Sequence, residues 1–326
     1  MAPPPADKKA QEAPVSVRVE SGFANQRLFR SRWGQRMNPV GNRTSGGEAM
    51  NARDVETKTR SWLFTPATRP ERFAKAGPAG ADVLIVDLED AVRPEEKTIA
   101  RRQLGNLLSQ PFSSTAALAV RINTPNSRSG LDDLAALLDA EFQPAFIVIP
   151  KVEAAQTVLQ VEALLREVAS DARVVPLVES RQGIAVLPEV LATASRVAAV
   201  MFGAGDYAGD VGVQPASFAL SVARVQISAA CVASGIRAID APCFEIGNSA
   251  ALEHEIGFAA ANGFDGKAAI HPSHIGPINA AMTPDATKID WAHRVIEAAR
   301  EGAAVVDGRM VDEAIAREAR RVLSRA

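Results

Sequence analysis

Several carboxylates in the sequence stand at the end of a short apolar run. Glu179 closes VVPLVES, Asp206 lies in the glycine-dense stretch MFGAGDYAGDVG, and Asp87, Glu89 and Asp90 close VDLEDAV. Carboxylates that meet at one place repel each other unless a cation lies between them. A set of oxygen ligands without His or Cys favours the hard ion Mg²⁺, or Mn²⁺, over zinc. These residues predict a divalent metal site held by carboxylates.

Basic residues follow two further apolar runs. Arg121 ends the run in VRINTP, where its guanidinium is suited to a two-pronged salt link with a substrate carboxylate. Lys151 follows the run in IPKVE; a Schiff-base role is open to it, but the acidic residues Glu153 and Glu179 favour a charged, salt-bridged side chain. His271, in KAAIHPSHI, is either an acid–base group or, in the favoured interpretation, a structural hydrogen-bonding residue.

Each acidic residue also has a structural alternative, because Asp and Glu at a strand end often cap the following helix. For Glu179 the functional interpretation is favoured, since Ser180 follows it and could cap instead. The glycines around Asp206 let the backbone approach a ligand closely and favour a binding role there. Asp87 and Glu89 could orient metal waters or hold Arg and Lys side chains.

The elements that must position these residues are eight β-rich runs that alternate with helical patterns. The predicted strands are 61–65, 83–88, 118–123, 146–150, 174–178, 198–202, 238–241 and 267–270. Several are continuous apolar runs, as in parallel strands buried on both faces, and their spacing leaves room for a crossover helix each time. No GxGxxG turn follows Thr65, as a doubly wound sheet would need. The sequence predicts a (β/α)₈ TIM barrel with its active site at the carboxyl ends of the strands.

Apolar residues recur at helical spacing between these runs, as Leu131 and Leu134 illustrate. Gly263 stands where a helix would end in a left-handed cap. Beyond the eighth strand, the pattern predicts helices over 289–300 and 311–323. The chain therefore carries extra C-terminal helices that the barrel itself does not need.

The composition is that of a globular protein: 47% of the 326 residues are hydrophobic and 23% are charged. A net charge of −2 gives no reason to expect nucleic acid as a partner. The sequence has neither an apolar run of about 18 residues for a membrane helix nor the apolar core of a secretory signal. Cys231 and Cys243 are too few for a disulfide framework. We expect a cytoplasmic protein with no membrane partner and with buried thiols.

The first segment differs from the rest of the chain. Residues 1–60 contain eleven basic and six acidic residues, a net charge of +5. This segment has a proline-rich start and no sustained apolar period, so we predict a disordered basic extension over 1–58. A transit peptide, or a translation start at Met37 or Met50, is an alternative interpretation. The barrel with its C-terminal helical segment is predicted over 59–326.

Eight stretches of the chain, taken in order, form a specific pattern. They are RSWLFTPATRPERF, DVLIVDLEDAVRPEEKTIAR, VRINTPNS, FIVIPKVE, VVPLVES, MFGAGDYAGDVG, GFDGKAAIHPSHI and DGRMVD. In this order they resemble the citrate lyase β-subunit-like family of the HpcH/HpaI aldolase superfamily, which includes the malyl-CoA and citramalyl-CoA lyases. The resemblance covers nearly all of the chain after residue 60.

The resemblance implies a magnesium-dependent barrel. Glu179 and Asp206 match the metal ligands, and Arg121 matches the residue that binds the carboxylate of an α-keto acid. Asp312, in GRMVD, matches an aspartate that acts in proton transfer from a segment capping a neighbouring subunit's barrel. Members of the family commonly form homotrimers or homohexamers, and the same is expected here.

The predicted function is a Mg²⁺-dependent lyase that cleaves or forms a carbon–carbon bond between an acyl-CoA and an α-keto acid, with coenzyme A as part of the substrate. Arg69, Arg72 and Lys75 are candidate partners for the coenzyme A phosphates. Ala67 and Gly205 replace a Gly and a Glu that many members have, which leaves the shape of the thioester pocket open. A malyl-CoA thioesterase, a CoA-independent α-keto acid aldolase and a non-catalytic barrel subunit are the alternatives.

Overall fold

The computed structural model describes Met1 and residues 59–112, 114–300 and 304–326. Apart from Met1, the predicted disordered extension over 1–58 lies outside the described residues. The barrel strands and the helices of the C-terminal segment lie within the described ranges.

Eight parallel strands close into a barrel. They are β1 (Ser61–Pro66), β2 (Val83–Asp87), β3 (Ala117–Arg121), β4 (Phe146–Ile149), β5 (Arg173–Val178), β6 (Ala199–Phe202), β7 (Arg237–Asp240) and β8 (Gly266–Ala269). Each strand pairs with its neighbours in sequence, and β1 pairs with β8 to close the ring. All eight predicted strands are confirmed, with ends that differ by at most two residues.

Side chains along the strands alternate between the barrel interior and the layer beneath the helices. The interior is apolar at its centre, where the rings of Trp62 and Phe146 lie 5.1 Å apart. The same alternation turns Asp87 and Arg121, partners in the β2–β3 register, inward at the carboxyl ends of their strands. Glu179 follows β5 at the next inward position after interior Leu177. The polar residues of the mouth therefore stand on top of an apolar barrel core.

α-Helices follow seven of the eight strands. They are α1 (Lys97–Leu107), α2 (Arg128–Leu138), α3 (Ala155–Glu167), α4 (Arg181–Thr193), α5 (Ala204–Val211), α6 (Phe218–Ser234), α7 (Ser249–Ala261) and α8 (Ile275–Met282), of which α5 and α6 both follow β6. After β1 the expected crossover helix is replaced by a short 3₁₀ helix, Pro70–Lys75. Gly77, Pro78 and Gly80, the last with φ of 77°, explain the early stop because they interrupt an α-helix.

The C-terminal segment contains α9 (Ala286–Arg300), a hairpin of β9 (Ala304–Val306) and β10 (Arg309–Val311), and α10 (Glu313–Leu323). The sequence pattern does not predict this hairpin. Its two-residue turn, Asp307–Gly308, has φ of 50° and 77°, as the tight turns that suit a hairpin require. The last helix begins later than predicted because Asp312 ends the hairpin and caps α10, its carboxylate accepting the N–H of Ile315 at 3.0 Å.

The last helix is anchored beside the start of β8. Arg321 donates to the carbonyl of Gly263, and Arg325 forms an ion pair with Asp265. Gly263 has φ of 88°, the left-handed conformation predicted for it after α7. Because β8 begins at Gly266, this anchor lies at the amino end of the barrel, opposite the mouth. Among the described residues, none of the helices has the length and apolar character needed to cross a bilayer.

Candidate active site

Glu179 lies in the barrel mouth with only 3% of its surface exposed. Its Oε1 accepts a 2.7 Å hydrogen bond from the backbone N–H of Lys151. The capping role belongs to the next residue, because Ser180 Oγ accepts the N–H of Gly183 in the first turn of α4. Glu179 is therefore free of the structural role that a carboxylate at a strand end often has.

Asp206 lies in the first turn of α5 and is exposed at the mouth. Its carboxyl group lies close enough to that of Glu179 to raise the pKa of Glu179. The start of a helix favours negative charge, so this position supports a carboxylate. The two predicted metal ligands thus come together from the ends of neighbouring strands, β5 and β6.

Gly203, which joins β6 to α5, makes room for the Glu179 side chain. A Cβ atom at this position would lie 2.5 Å from both Cβ and Oε2 of Glu179, closer than real Cβ atoms approach other atoms. The backbone N–H of Gly203 also donates to the carbonyl of Val178 at 2.9 Å, which keeps the two strand ends in register. The sequence indicated glycines near the ligand but did not identify this contact.

The electrostatic state of Glu179 reflects the carboxylates around it. Burial, together with the negative charges of Glu89 and Asp206, raises the pKa of Glu179 to about 9. The hydrogen bond from Lys151 opposes this effect but does not outweigh it. Without a cation, the cluster therefore keeps a proton at neutral pH, whereas a bound cation would allow both Glu179 and Asp206 to be charged.

Arg121 is held rigidly at the end of β3. Its Nε and Nη2 donate to the two oxygens of Asp87 at 2.7 and 2.5 Å, and its guanidinium lies 4.8 Å from the centre of the Phe64 ring. Burial acts to lower the pKa of Arg121, but the charges of Asp87 and Glu89 outweigh it and hold the pKa above its usual value. Since Asp87 occupies one edge of the guanidinium, the second edge, with Nη1, is directed to Glu89 and Asp90 at the mouth.

Glu89 connects the two cations of the mouth. Its Oε1 accepts Lys151 Nζ at 2.9 Å, and its Oε2 lies 3.1 Å from Arg121 Nη1. That second contact is an ion pair without hydrogen-bond geometry. Oε2 is buried, and it has no hydrogen-bond partner among the described residues. Burial raises the pKa of Glu89, and the charges of Arg121 and Lys151 oppose this. Lys151 is salt-bridged, as the sequence favoured, but its partners are Glu89 and Asp90 rather than Glu153 or Glu179. Its backbone adopts a left-handed φ of 51°.

Three side chains that support the mouth are less visible in the sequence. Lys97 donates to the carbonyls of Leu88 and Glu89, each at 2.7 Å. Buried Asp133 accepts the side-chain amide of Asn123 at 2.6 Å, and the same amide donates to the carbonyl of Leu88. Of these, only Asn123 stands at a strand end; an acidic residue on the apolar face of α2 was the signal for Asp133.

Within the described ranges, the remaining predicted residues form no hydrogen bond or ion pair with Glu179. Arg69, Arg72 and Lys75 are exposed, in the segment after β1. His271 caps the short 3₁₀ helix Pro272–His274, and its Nδ1 contacts Ser273 Oγ at 2.7 Å, in line with the structural interpretation. Asp312 caps α10, and no hydrogen bond or ion pair among the described residues connects it to the residues of the mouth.

The donor set of the mouth fits a hard divalent ion. Within the described part of the chain, no group of three or more His, Cys, Asp or Glu side chains could hold a metal unaided. Zinc generally requires three or four protein ligands, whereas Mg²⁺ takes one or two carboxylates and completes its shell with water and substrate oxygens. Glu179 and Asp206 supply that pair, and Oε2 of Glu89, which has no hydrogen-bond partner among the described residues, lies in the same mouth.

A closed (β/α)₈ barrel with charged side chains gathered at the carboxyl ends of its strands defines an enzyme of the TIM-barrel class. The sequence pattern of one family, HpcH/HpaI aldolase/citrate lyase, matches residues 60–272. The chain belongs to this family.

Similar proteins cover most of the chain. The "Citrate lyase subunit beta-like protein" of Mycobacterium tuberculosis is 35% identical over 274 residues, covering 81% of this chain and 94% of the relative. The "L-malyl-CoA/beta-methylmalyl-CoA lyase" of Cereibacter sphaeroides is 30% identical, covering 82% of this chain and 94% of the relative. The structure of CitE from M. tuberculosis in complex with magnesium, acetoacetate and coenzyme A has a TM-score of 0.69 and 34% identity, and the match covers 83% of this chain and 99% of that chain.

These comparisons confirm the predicted family, and they confirm that the chain is an enzyme of the carbon–carbon lyase class. The closed ring of eight parallel strands confirms the predicted barrel. The roles of the individual residues remain predictions.

We predict that Gly203→Ala weakens Mg²⁺ binding at least about tenfold, because the new Cβ displaces the Glu179 carboxylate. Gly209→Ala is the matched control: Gly209 lies with open space around it inside α5, the helix that begins just after Gly203, and alanine there stabilises the helix by about 0.5–1 kcal/mol. Titration calorimetry gives the affinity and thermal denaturation gives the stability. A folded Gly203→Ala protein with unchanged Mg²⁺ affinity would contradict the assignment of Glu179.

We also predict that the metal-free protein loses stability as the pH rises. The pKa of Glu179 is about 9 in the folded state against an ordinary value of 4.5. A raised pKa stabilises the fold fully below the ordinary value, and this contribution disappears as the pH rises through the folded value. Thermal denaturation in EDTA between pH 5 and 9 should show it, and Glu179→Gln, which stays neutral, should lack this part of the profile. Parallel profiles for the two proteins would overturn the prediction.

Proposed function

We propose that the chain is a Mg²⁺-dependent lyase that cleaves or forms a carbon–carbon bond between an acyl-CoA and an α-keto acid. The observation that carries the proposal is the Glu179–Asp206 pair, two acidic side chains that come together at the mouth of the barrel. The relatives support it: one is named a malyl-CoA lyase, and the similar CitE structure is a complex with magnesium, acetoacetate and coenzyme A.

In this proposal Glu179 and Asp206 hold Mg²⁺, for which Mn²⁺ could substitute. The ion supplies Lewis-acid polarisation of the keto acid's carbonyl group. The chain's own contribution is to keep Glu179 correctly aimed: the backbone N–H of Lys151 fixes one carboxylate oxygen, and Gly203 leaves room for the other. The pair is therefore organised before the substrate arrives.

Arg121 binds the carboxylate of the α-keto acid in this account. Asp87 orients the guanidinium through two hydrogen bonds and leaves the edge with Nη1 directed toward the mouth. A substrate carboxylate would compete there with Glu89 and Asp90, which form ion pairs with Nη1. Because Lys151 also pairs with Glu89, the displaced acid keeps a cationic partner.

Asp312 is the proposed proton-transfer group. In the condensing direction its carboxylate removes a proton from the methyl group of the acyl-CoA, the resulting carbanion attacks the keto acid's carbonyl carbon, and the carbonyl oxygen takes up a proton to become a hydroxyl group. In cleavage the hydroxyl group loses its proton, the carbon–carbon bond breaks, and Asp312 returns a proton to the carbanion. No contact among the described residues joins Asp312 to the mouth of its own barrel, so in this account it acts at the mouth of a second copy of the chain. Such sharing would fit a homotrimer or homohexamer.

Three exposed basic residues after β1 are proposed to bind the coenzyme A part of the thioester substrate. Arg69, Arg72 and Lys75 lie on the mouth side, where they could pair with the coenzyme A phosphates. The protein would act in the cytoplasm on these small molecules, without nucleic acid or membrane partners.

The direct test is incubation with Mg²⁺ and malyl-CoA, citramalyl-CoA or citryl-CoA, with release of keto acid and of free CoA thiol followed separately. We expect keto acid, and a loss of at least about 100-fold in Glu179→Ala and Asp206→Ala. Glu153→Ala, at an exposed acid near the mouth, is the control and should keep its activity. Free thiol without keto acid would identify a thioesterase instead, and full activity in both ligand variants would reject the proposed metal site.

Subunit sharing has its own test. Asp312→Asn and Glu179→Ala should each be inactive alone, but mixed oligomers contain some sites with an intact Asp312 from one chain and an intact Glu179 from another. We therefore expect partial recovery of activity after the two variants are unfolded and refolded together. If mass spectrometry shows that the subunits have mixed and no activity returns, Asp312 does not act across subunits.

A further inference from the structure

The longest of the described helices, the 17-residue α6, exposes an apolar stripe along its outer face. Phe218 is 80% exposed, and Val222, Val225 and Val232 are 41%, 44% and 47% exposed. Exposed Ala229 completes the series, so the residues are spaced by four, three, four and three. Alternating spacings of four and three residues are typical of the seam along which two helices pack with knobs-into-holes contacts.

The outer face of α6 also lacks charge. The only charged residue of the helix, Arg224, turns inward and donates to both oxygens of Asp240 at 2.8 and 2.5 Å. Its guanidinium also lies 4.0 Å from the centre of the Phe258 ring. The helix on one side, α7, exposes the polar residues Glu253 and His254. A helix that is apolar on both its inner and its outer face has the character of a buried helix.

The surface that best fits this face is the same face on a second copy of the chain. The amphipathic C-terminal helix α10 already packs against α9, in a cluster that includes Ala319, Val322 and Val295. Residues 1–60 carry a net charge of +5, and the α6 face offers no acid to attract them. When two identical uncharged faces pack together, by contrast, there is no charge repulsion and no unpaired charge is buried.

We propose that α6 packs antiparallel against α6 of a second copy across a two-fold axis at Val225. The stripe is nearly symmetric about this residue. Val222, three positions before the axis, faces Ala229 of the other copy, four positions after it, and Phe218 meets Val232, each seven positions from the axis. A contact of this kind uses the same surface on both chains, as two-fold interfaces do.

The size of the face sets the strength of the contact. Seventeen residues span about 25 Å and present a strip about 10 Å wide, less than the roughly 800 Å² per partner of a standard interface. Pairing through α6 alone should therefore depend on protein concentration. None of the residues assigned to binding or catalysis lies in α6, so the pairing is independent of the proposed function.

Cysteine crosslinking of the full chain tests the geometry. Val225→Cys should form a disulfide with itself across the axis, because equivalent residues on a two-fold axis come within disulfide reach. Val232→Cys alone should not, since its two copies lie at opposite ends of the helix pair, but mixing it with Phe218→Cys should give a crosslinked species. The native Cys231 and Cys243 are buried, so the unmodified protein is the background control.

Sedimentation velocity tests the energetics. Val225→Glu places a charge in the seam and should weaken the pairing at least about tenfold, with lyase activity unchanged. His254→Glu, at an exposed position on α7, is the matched control and should leave the pairing intact. Self-crosslinking of Val225→Cys no stronger than that of Val232→Cys, or an assembly unaffected by Val225→Glu at every concentration, would overturn the proposal.

Discussion

The buried carboxyl of Glu179 is the constraint on which the mouth of the barrel depends. It is nearly inaccessible to water and faces two further acids, Glu89 and Asp206, which together with burial raise its pKa to about 9. The cations nearest to this cluster, Arg121 and Lys151, are paired with Glu89, so they compensate that acid more than Glu179. The site therefore has a deficit of positive charge at one place, which a divalent ion would remove.

The barrel supplies the geometry that makes this arrangement possible. Alternation along the strands and the register of β2 with β3 place Asp87 beside Arg121, and the two-residue period brings Glu179 inward after β5. The backbone completes the site through the N–H of Lys151, held at a φ of 51°, and through the missing side chain of Gly203. The left-handed backbone of Lys151 and the absence of a side chain at Gly203 are each locally unfavourable in free energy, and the packing of the surrounding barrel compensates for this.

Much of this could be read from the sequence because it depends on local pattern. Apolar runs of a parallel barrel are continuous, so all eight strands are predicted from them, and Ser180 after Glu179 indicates which residue caps the helix. Contacts between distant segments cannot be read in this way. The bidentate hold of Asp87 on Arg121 and the anchoring of the last helix beside Asp265 depend on how separate elements pack. The residue pattern indicated that Asp87 could hold an Arg or Lys side chain, but not which one, and nothing in it indicated the contact beside Asp265.

The position of a bound metal tests the assignment of Glu179 and Asp206 most directly. Crystals grown with Mn²⁺ and measured at a wavelength where manganese scatters anomalously should show one peak per barrel, between the carboxylates of these two residues, and Glu179→Gln crystals should lose it. A peak elsewhere in the barrel, or no peak at this pair in crystals of protein that is active with Mn²⁺, would contradict the assignment.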